Sequence, residues 1–451
     1  MTSESSTNST IKPETGEDAK NALLGAIETN LDKLCAITIE DALGPALPGD
    51  KVFPATYLGD ANISTYAWEE IGSSEQKRRL LFLDSIPSQA RRLATALHQL
   101  TEPAVPRLLL VDAKDVPIIG TDRQQVSTLT ANHRLYDMVF QSAKFVKSGL
   151  DTGRSDGKGN PTADELTFFA ESEFGRNLLS ANQADASPIF KWCPTVLLFG
   201  GWNSRLSSWG TKFRRAVTSR IVALEQSQGR RTASRVDVLG IEHVGTVEYD
   251  KKAPHRWRLL SAEEAKAKAA EGTERKKLSE IGLGFIVPSV EPLGGVYAES
   301  ITHTFVLNIA ELRHLQFGNP PVGADKEALP KRNAQARSVL AVLGMLAYAL
   351  QAADGYNLRA GCLLRRKQSK VEIWLRAHSP DKDQHLVLED LDALLTLLKK
   401  LYGELTQPDT LREYGLEWCQ DFPKVRVGDE LAKVLQIIGV PIAVEGNLTK
   451  E

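Results

Sequence analysis

This chain lacks the common sequence signatures of catalysis. There is no Walker A loop, no G-x-G-x-x-G follows a strand, and neither H-E-x-x-H nor G-x-S-x-G occurs. Phosphate-loop, dinucleotide, zincin and serine-hydrolase chemistry therefore find no motif. Cysteine is scarce: Cys35, Cys193, Cys362 and Cys419 lie far apart with no Cys-x-x-Cys. That spacing argues against a structural zinc site and a secreted disulfide framework, and the four read as small buried hydrophobes. Eight histidines are scattered, none at a nucleophile-like spacing from Cys or Asp. Acidic pairs such as Glu389-Asp390 and Glu263-Glu264 read as solvated helix faces, so two-metal chemistry has no visible ligand set. The expectation is a protein without catalytic residues, metal or cofactor. No apolar run is long and uninterrupted enough to span a bilayer, and residues 1–20 are polar with no signal core, reading as a flexible tail. A soluble, cytoplasmic protein is expected.

Excess charge of one sign is also missing. Lys+Arg 55 against Asp+Glu 57 leaves a formal charge of -2, so any surface for a polyanion must be local. One stretch supplies it. Between Ser204 and Arg235 lie Arg205, Lys212, Arg214, Arg215, Arg220, Arg230, Arg231 and Arg235, opposed only by Glu225. Such a cluster suits phosphates, because neutralising them releases condensed counterions, although a solvated helix with a basic loop has the same composition. Placed on a helix, Lys212 to Glu225 puts Phe213, Val217, Ile221 and Leu224 on one face and Lys212, Arg215 and Ser219 on the other. Trp202, Asn203 and Arg205 follow the predicted strand Thr195 to Gly200, where a ring or guanidinium can stack on a base. A half-buried core tryptophan is the alternative for Trp202. Ser88, Gln89, Arg91 and Arg92 open another predicted helix, whose first amides add phosphate donors unless they are simply capped. His133 beside Arg134 is the one histidine suited to metal-independent RNA cleavage, with a capping role as the alternative.

Hydrophobic residues at 42% and charged residues at 25% are ordinary for a globular protein with a large core. Order is expected from Asn21, with strands at Cys35 to Asp41, Leu80 to Asp84 and Arg107 to Asp112, and a helix over Ser88 to Leu100. Ser148 to Glu165 is Gly-rich without period, and Ser261 to Glu280 is predicted as a charged, exposed helix interrupted or ended at Gly272. Ala336 to Ala352 is apolar on nearly every face and should be a buried helix. Tyr356 to Arg376 reads as two strands with a turn near Gln368 to Lys370, and helices follow. The fold class is α+β: one elaborated domain over 21–451, with insertions at about 148–190 and 250–300 and a helical part at 386–451.

Several segments, in this order, resemble a known family. They are Phe82 to Leu97, Ala131 to Ala143, LLFGGWNSRLSSWGTKFRRAVTSRIVALE, RVDVLGI, Leu278 to Gly318 and Ala336 to Leu364. Together the chain is similar to the crRNA-binding backbone subunit of type I-G (formerly I-U) CRISPR effector complexes, in the RAMP superfamily. Three positions depart: Arg220 stands where the family tends to be acidic, Val238 where proline is frequent and Phe285 where asparagine is. The resemblance implies a ferredoxin-like (RRM-like) palm with a helical finger insertion and a protruding thumb. It implies copies stacked head to tail along a CRISPR guide RNA, target DNA bound through the guide, other effector subunits and a recruited helicase-nuclease. On this reading Ser88, Arg91, Arg92, His133, Arg134, Lys212, Arg214, Arg215, Ser219, Arg220 and Arg235 are expected at the guide backbone, and Trp202, Asn203 and Arg205 at sugars or bases. The rival expectations are a RAMP-type endoribonuclease with His133 as base, and an assembly protein that needs no nucleic acid.

Overall fold

The computed structural model describes residues 14–29, 31–46, 49, 51–59, 64–73, 77–101, 103–111, 126–146, 166–203, 211–236, 245–281, 283, 286–291, 293–318, 328–376, 383–418 and 424–437. In chain order the elements used below begin with α1 (Gly16–Thr29), β1 (Leu34–Pro45), β2 (Trp68–Ile71), β3 (Arg78–Asp84), α2 (Ile86–Ala96) and α3 (Thr195–Phe199). Then come β4 (Gly201–Asn203), β5 (Thr211–Phe213), β6 (Val217–Gln228), β7 (Arg231–Arg235), β8 (Ile286–Glu291) and β9 (Val296–Asn308). The last are α4 (Ala328–Asp354), β10 (Tyr356–Arg359), β11 (Cys362–Leu375), β12 (Gln384–Val387) and α5 (Leu391–Leu405). Helix and sheet are mixed, as the composition and patterning led one to expect.

A large sheet runs in the order β12-β11-β1-β9-β6-β3-β2, all antiparallel, with β10 added to β11. Its four long strands therefore lie β11-β1-β9-β6 in space while following β1, β6, β9, β11 in sequence. One face alternates inward along each strand: Ile37, Ile39 and Asp41 on β1, Val217, Ser219 and Ile221 on β6, His303, Phe305 and Leu307 on β9. Helices α2 and α4 cover that face. A side-chain carbon at Gly344 would come within 3.2 Å of Val217 and 3.3 Å of Leu307, so α4 lies close on β6 and β9. Helix α5 closes over α4 with Leu394, Leu398, Leu401 and Tyr402. That sandwich explains why α4 is apolar all round: it has protein on both sides, and its middle from Val339 to Ala352 is buried. Among the described residues it is also the one helix with the length and apolarity of a membrane span, and most of it is inside the protein.

Several sequence expectations change. The chain over Lys212 to Glu225 is not a helix but β5 and most of β6. Positions 217 and 221 sit on one face at either period, which is why the pattern misled; the β-branched Val217, Thr218, Ile221 and Val222 then favour the pleated sheet. Thr195–Phe199 is a buried helical turn rather than a strand, ended by Gly200 at φ 81°. The turn expected near Gln368 to Lys370 lies at Ala360 and Gly361, where Gly361 has φ 73°. Strand β11 runs straight through 368–370, with only a register shift opposite Ala42/Leu43. Ser261 to Glu280 forms no long helix. It contains a 3₁₀ turn at Glu264–Lys266 and the strand Thr273–Lys277. Lacking an apolar face to bury, it pairs instead with Thr246–Asp250, where Glu248 accepts hydrogen bonds from Arg258 (2.9 Å) and Arg275 (3.0 Å).

The segment between β6 and β9 leaves the sheet as an arm. Strands β7 and β8 pair antiparallel, and the three strands Thr246–Asp250, Ala253–Leu259 and Thr273–Lys277 form a sheet of their own. At the root, a side-chain carbon on Gly294 would lie 1.8 Å from the carbonyl carbon of Arg230, so only glycine permits this approach. The Gly-rich residues 148–165 lie outside the described residues, whereas Phe169, Leu178 and Phe190, just after them, belong to the hydrophobic core. At the N-terminus, Glu14–Thr15 pairs with β12 and α1 starts at Gly16, inside the stretch read as a tail.

Candidate nucleic-acid interface

The hairpin of β4 and β5 carries the clearest exposed group. Gly201 pairs with Phe213 and Trp202 with Lys212. Cross-strand partners share a face, so Phe213 is buried while Trp202 (66% exposed) and Lys212 stand side by side in solvent. Arg214 and Arg215 follow directly and are exposed. Arg215 donates from Nε to the Phe199 carbonyl at 3.2 Å, placing a cation at the end of α3. Among the described residues, Lys212, Arg214 and Arg215 have no carboxylate partner. An exposed indole beside three uncompensated cations presents a stacking surface and phosphate donors together.

The hairpin is braced from behind by a residue expected at the surface. Arg134 is only 7% exposed and takes φ 52°, in the left-handed region. Its guanidinium donates to the carbonyls of Gly200 (3.2 Å) and Ala90 (3.4 Å) and lies 5.3 Å from the Phe199 ring centre. Burial, with repulsion from Arg215, pushes its pKa down to about 10. Arg134 thus joins α2, the 133–136 turn and the hairpin root, and is a brace rather than a phosphate contact. His133 beside it is exposed; its backbone N–H donates to Asp137 Oδ2 at 3.2 Å, and its ring makes no hydrogen bond among the described residues.

Other predicted contacts fall elsewhere. Asn203 is buried (2% exposed), because it faces inward where Trp202 faces out. Arg205 lies outside the described residues. Arg220 is exposed on the sheet face away from the helices, in a cross-strand row with Thr304, Glu40 and Lys370, and has no ion-pair partner among the described residues. Arg235 sits on β7 in the arm. At the start of α2, Ser85 caps the Ser88 amide (3.4 Å) and Asp84 accepts from Ser88 Oγ (2.7 Å) and Arg92 Nε (3.1 Å). Arg92 also donates to the carbonyls of Asn357 (3.1 Å) and Leu358 (2.7 Å). The expected phosphate site at this helix start is therefore closed by the protein's own carboxylate; Arg91 is exposed and has no ion-pair partner among the described residues.

Ser219 departs furthest from its expected role. Its hydroxyl lies 2.7 Å from His303 Nε2, and His303 Nδ1 lies 2.9 Å from Asp41 Oδ2. Ser219 also donates to Gln89 Oε1 (3.0 Å), and Asp41 accepts from the hydroxyls of Tyr348 (2.9 Å) and Tyr356 (3.1 Å). The order is that of a hydrolytic triad. Yet Ser219 is 2% exposed and His303 and Asp41 0%, so the chain is sealed under α2 and α4 and serves to lock sheet to helices. No sequence spacing pointed to it, since its members come from β1, β6 and β9.

The geometry thus defines an α+β protein whose outward feature is a basic, tryptophan-bearing hairpin. Residues 37–227, from β1 to the end of β6 and including that hairpin, match the family model described as CRISPR-associated protein GSU0053. Over that stretch, less than half of its length, the chain is similar to a CRISPR-associated family. No curated protein matches the chain.

Proposed function

We propose that this protein is a non-catalytic, cytoplasmic backbone subunit that assembles along a CRISPR guide RNA in a type I surveillance complex. The exposed Trp202 and Lys212 pair, continued by Arg214 and Arg215, is the observation that carries the reading. On this proposal the β11-β1-β9-β6 strands with α2 and α4 form a ferredoxin-like palm, a reading supported by their order, fourth-first-third-second in sequence, and by α2 from the first crossover and α4 from the second packing on one face. The arm between β6 and β9 serves as the thumb, with Arg230, Arg231 and Arg235 along its base. Copies stack head to tail, other effector subunits cap the stack, target DNA is met through the guide, and a helicase-nuclease is recruited afterwards.

Purification from its operon followed by sequencing of bound RNA tests the reading. RNA of uniform length with repeat-derived ends is expected. Assembly that persists after nuclease treatment with no RNA present would instead select an assembly protein. Metal-independent cleavage of repeat RNA in EDTA, lost in His133→Ala, would select the endoribonuclease.

A further inference from the structure

We infer that the open face of the large sheet, at the end where the arm leaves it, binds a single strand of nucleic acid, with phosphates on Arg365 and Lys367 and a base on Tyr297. The basic hairpin enters β6 at Val217 and the arm leaves after Gln228. The two surfaces therefore lie at opposite ends of a strand about 40 Å long, at roughly 3.4 Å per residue.

Strand alternation brings these side chains to one face. On β9, Val296 and Ala298 are buried, and Tyr297 between them points the other way, 37% exposed. Lys51, directly opposite Tyr297, shares its face, while Val52 opposite Val296 is fully buried. The Lys51 ammonium donates to the Arg230 carbonyl (3.0 Å) and lies 5.8 Å from the Tyr297 ring centre, which holds a cation beside the ring. On β11, Cys362 and Leu364 are buried and Arg365, opposite Gly44, is exposed. The register shift at Ala42/Leu43 leaves Lys367 without a cross-strand partner, and its stem lies over β1. A side-chain carbon at Gly44 would come within 2.1 Å of Lys367 Cε, so glycine there lets the lysine cross the strand.

Positive charge at this end is left unanswered. Among the described residues Arg230, Arg365 and Lys367 are exposed and have no carboxylate partner. Adjoining carboxylates are engaged, Glu299 by Arg78 and Glu225 by Arg79 at 3.8 Å. Farther along the face, Lys370 answers Glu372 at 2.7 Å, with Glu40 opposite. An outward ring flanked by uncompensated cations suits a single strand, whose bases stack while its phosphates release counterions. An acidic protein segment answers the cations alone; the exposed ring favours a base.

The strand is RNA or DNA, which share this chemistry. Fluorescence anisotropy with labelled oligo(U) and oligo(dT) across a salt series separates them. Arg365→Ala combined with Lys367→Ala should flatten the dependence of log affinity on log salt by about 1.4, at roughly 0.7 per phosphate contact, for the strand that the face takes. Tyr297→Leu should weaken the same strand about tenfold and leave the salt slope in place. Photocrosslinking of bromouridine-substituted RNA and DNA to the unaltered protein should mark the peptide that holds Tyr297, and it decides even if a variant folds poorly. Unchanged slopes for both strands overturn the inference, as do crosslinks confined to the hairpin. Self-association lost in the Arg365→Ala, Lys367→Ala protein, with nucleic-acid binding unchanged, overturns it in favour of an acidic segment of a second copy. Replacing Lys212, Arg214 and Arg215 leaves this face intact, so failure of the hairpin reading and failure here give different results.

Discussion

Replacing Asp41 by alanine should be among the most damaging single changes in the core. Asp41 is fully buried and accepts hydrogen bonds from His303, Tyr348 and Tyr356, so the substitution removes the acceptor that three buried groups share and leaves them the weaker contacts of Tyr348 with Ser369 (3.4 Å) and of Tyr356 with His303 (3.0 Å). Removing one partner of a buried hydrogen-bonded charge costs about 3–5 kcal/mol, a large share of the roughly 5–15 kcal/mol that holds a typical domain folded. The effect has a pH signature. Burial alone would raise the Asp41 carboxyl, but the hydrogen bond and charge of His303, with hydrogen bonds from Ser369 and Tyr348, outweigh it and hold the group below its ordinary 3.8. A carboxyl lowered by folding stabilises the fold above its unfolded pKa of about 4, and that contribution is lost as pH falls through the lower folded value. Urea denaturation followed by circular dichroism should show the Asp41→Ala midpoint far below the parent at pH 7, the gap shrinking below about pH 4. A loss under about 1 kcal/mol at pH 7, or a gap independent of pH, would refute the account of the network.

Three further outcomes are expected. Replacing Lys212, Arg214 and Arg215 together by alanine should weaken single-stranded RNA binding and flatten its dependence on log salt by about 2, at roughly 0.7 per phosphate contact. Filter binding across a salt series reads this, and an unchanged slope removes the hairpin from the interface. Trp202→Ala should cost about 1–3 kcal/mol of RNA affinity with little change in melting temperature, since the indole is 66% exposed; equal losses in both would make it a packing residue. Arg134→Leu should behave oppositely: it removes the hydrogen bonds to the Gly200 and Ala90 carbonyls and costs about 1–3 kcal/mol of stability, read by thermal unfolding.

The parts of the fold legible in the sequence were those where a single period was unambiguous. The apolar run of α4 and the helix after Ser88, with Leu93, Leu97 and Leu100 buried, describe segments whose partners matter mainly as apolar surface. Charge was legible too. Lys212, Arg214 and Arg215 stood out on a neutral chain and are exposed, and Trp202 is exposed beside them. Their local structure was misread, because Val217 and Ile221 fit a helix and a strand alike and Ser219 looked like a surface hydroxyl.

By itself the sequence determined where hydrophobic material accumulates and where positive charge collects, because both are sums over neighbouring residues. Only the tertiary structure decided which polar groups face inward. Ser219, Asn203 and Arg134 look like ligand contacts in the sequence and are buried, because their partners or packing neighbours come from distant segments: Gln89 and His303 for Ser219, Ala90 and Gly200 for Arg134. A polar side chain is worth burying only where such partners arrive, and what brings them together is the strand order, not the spacing along the chain.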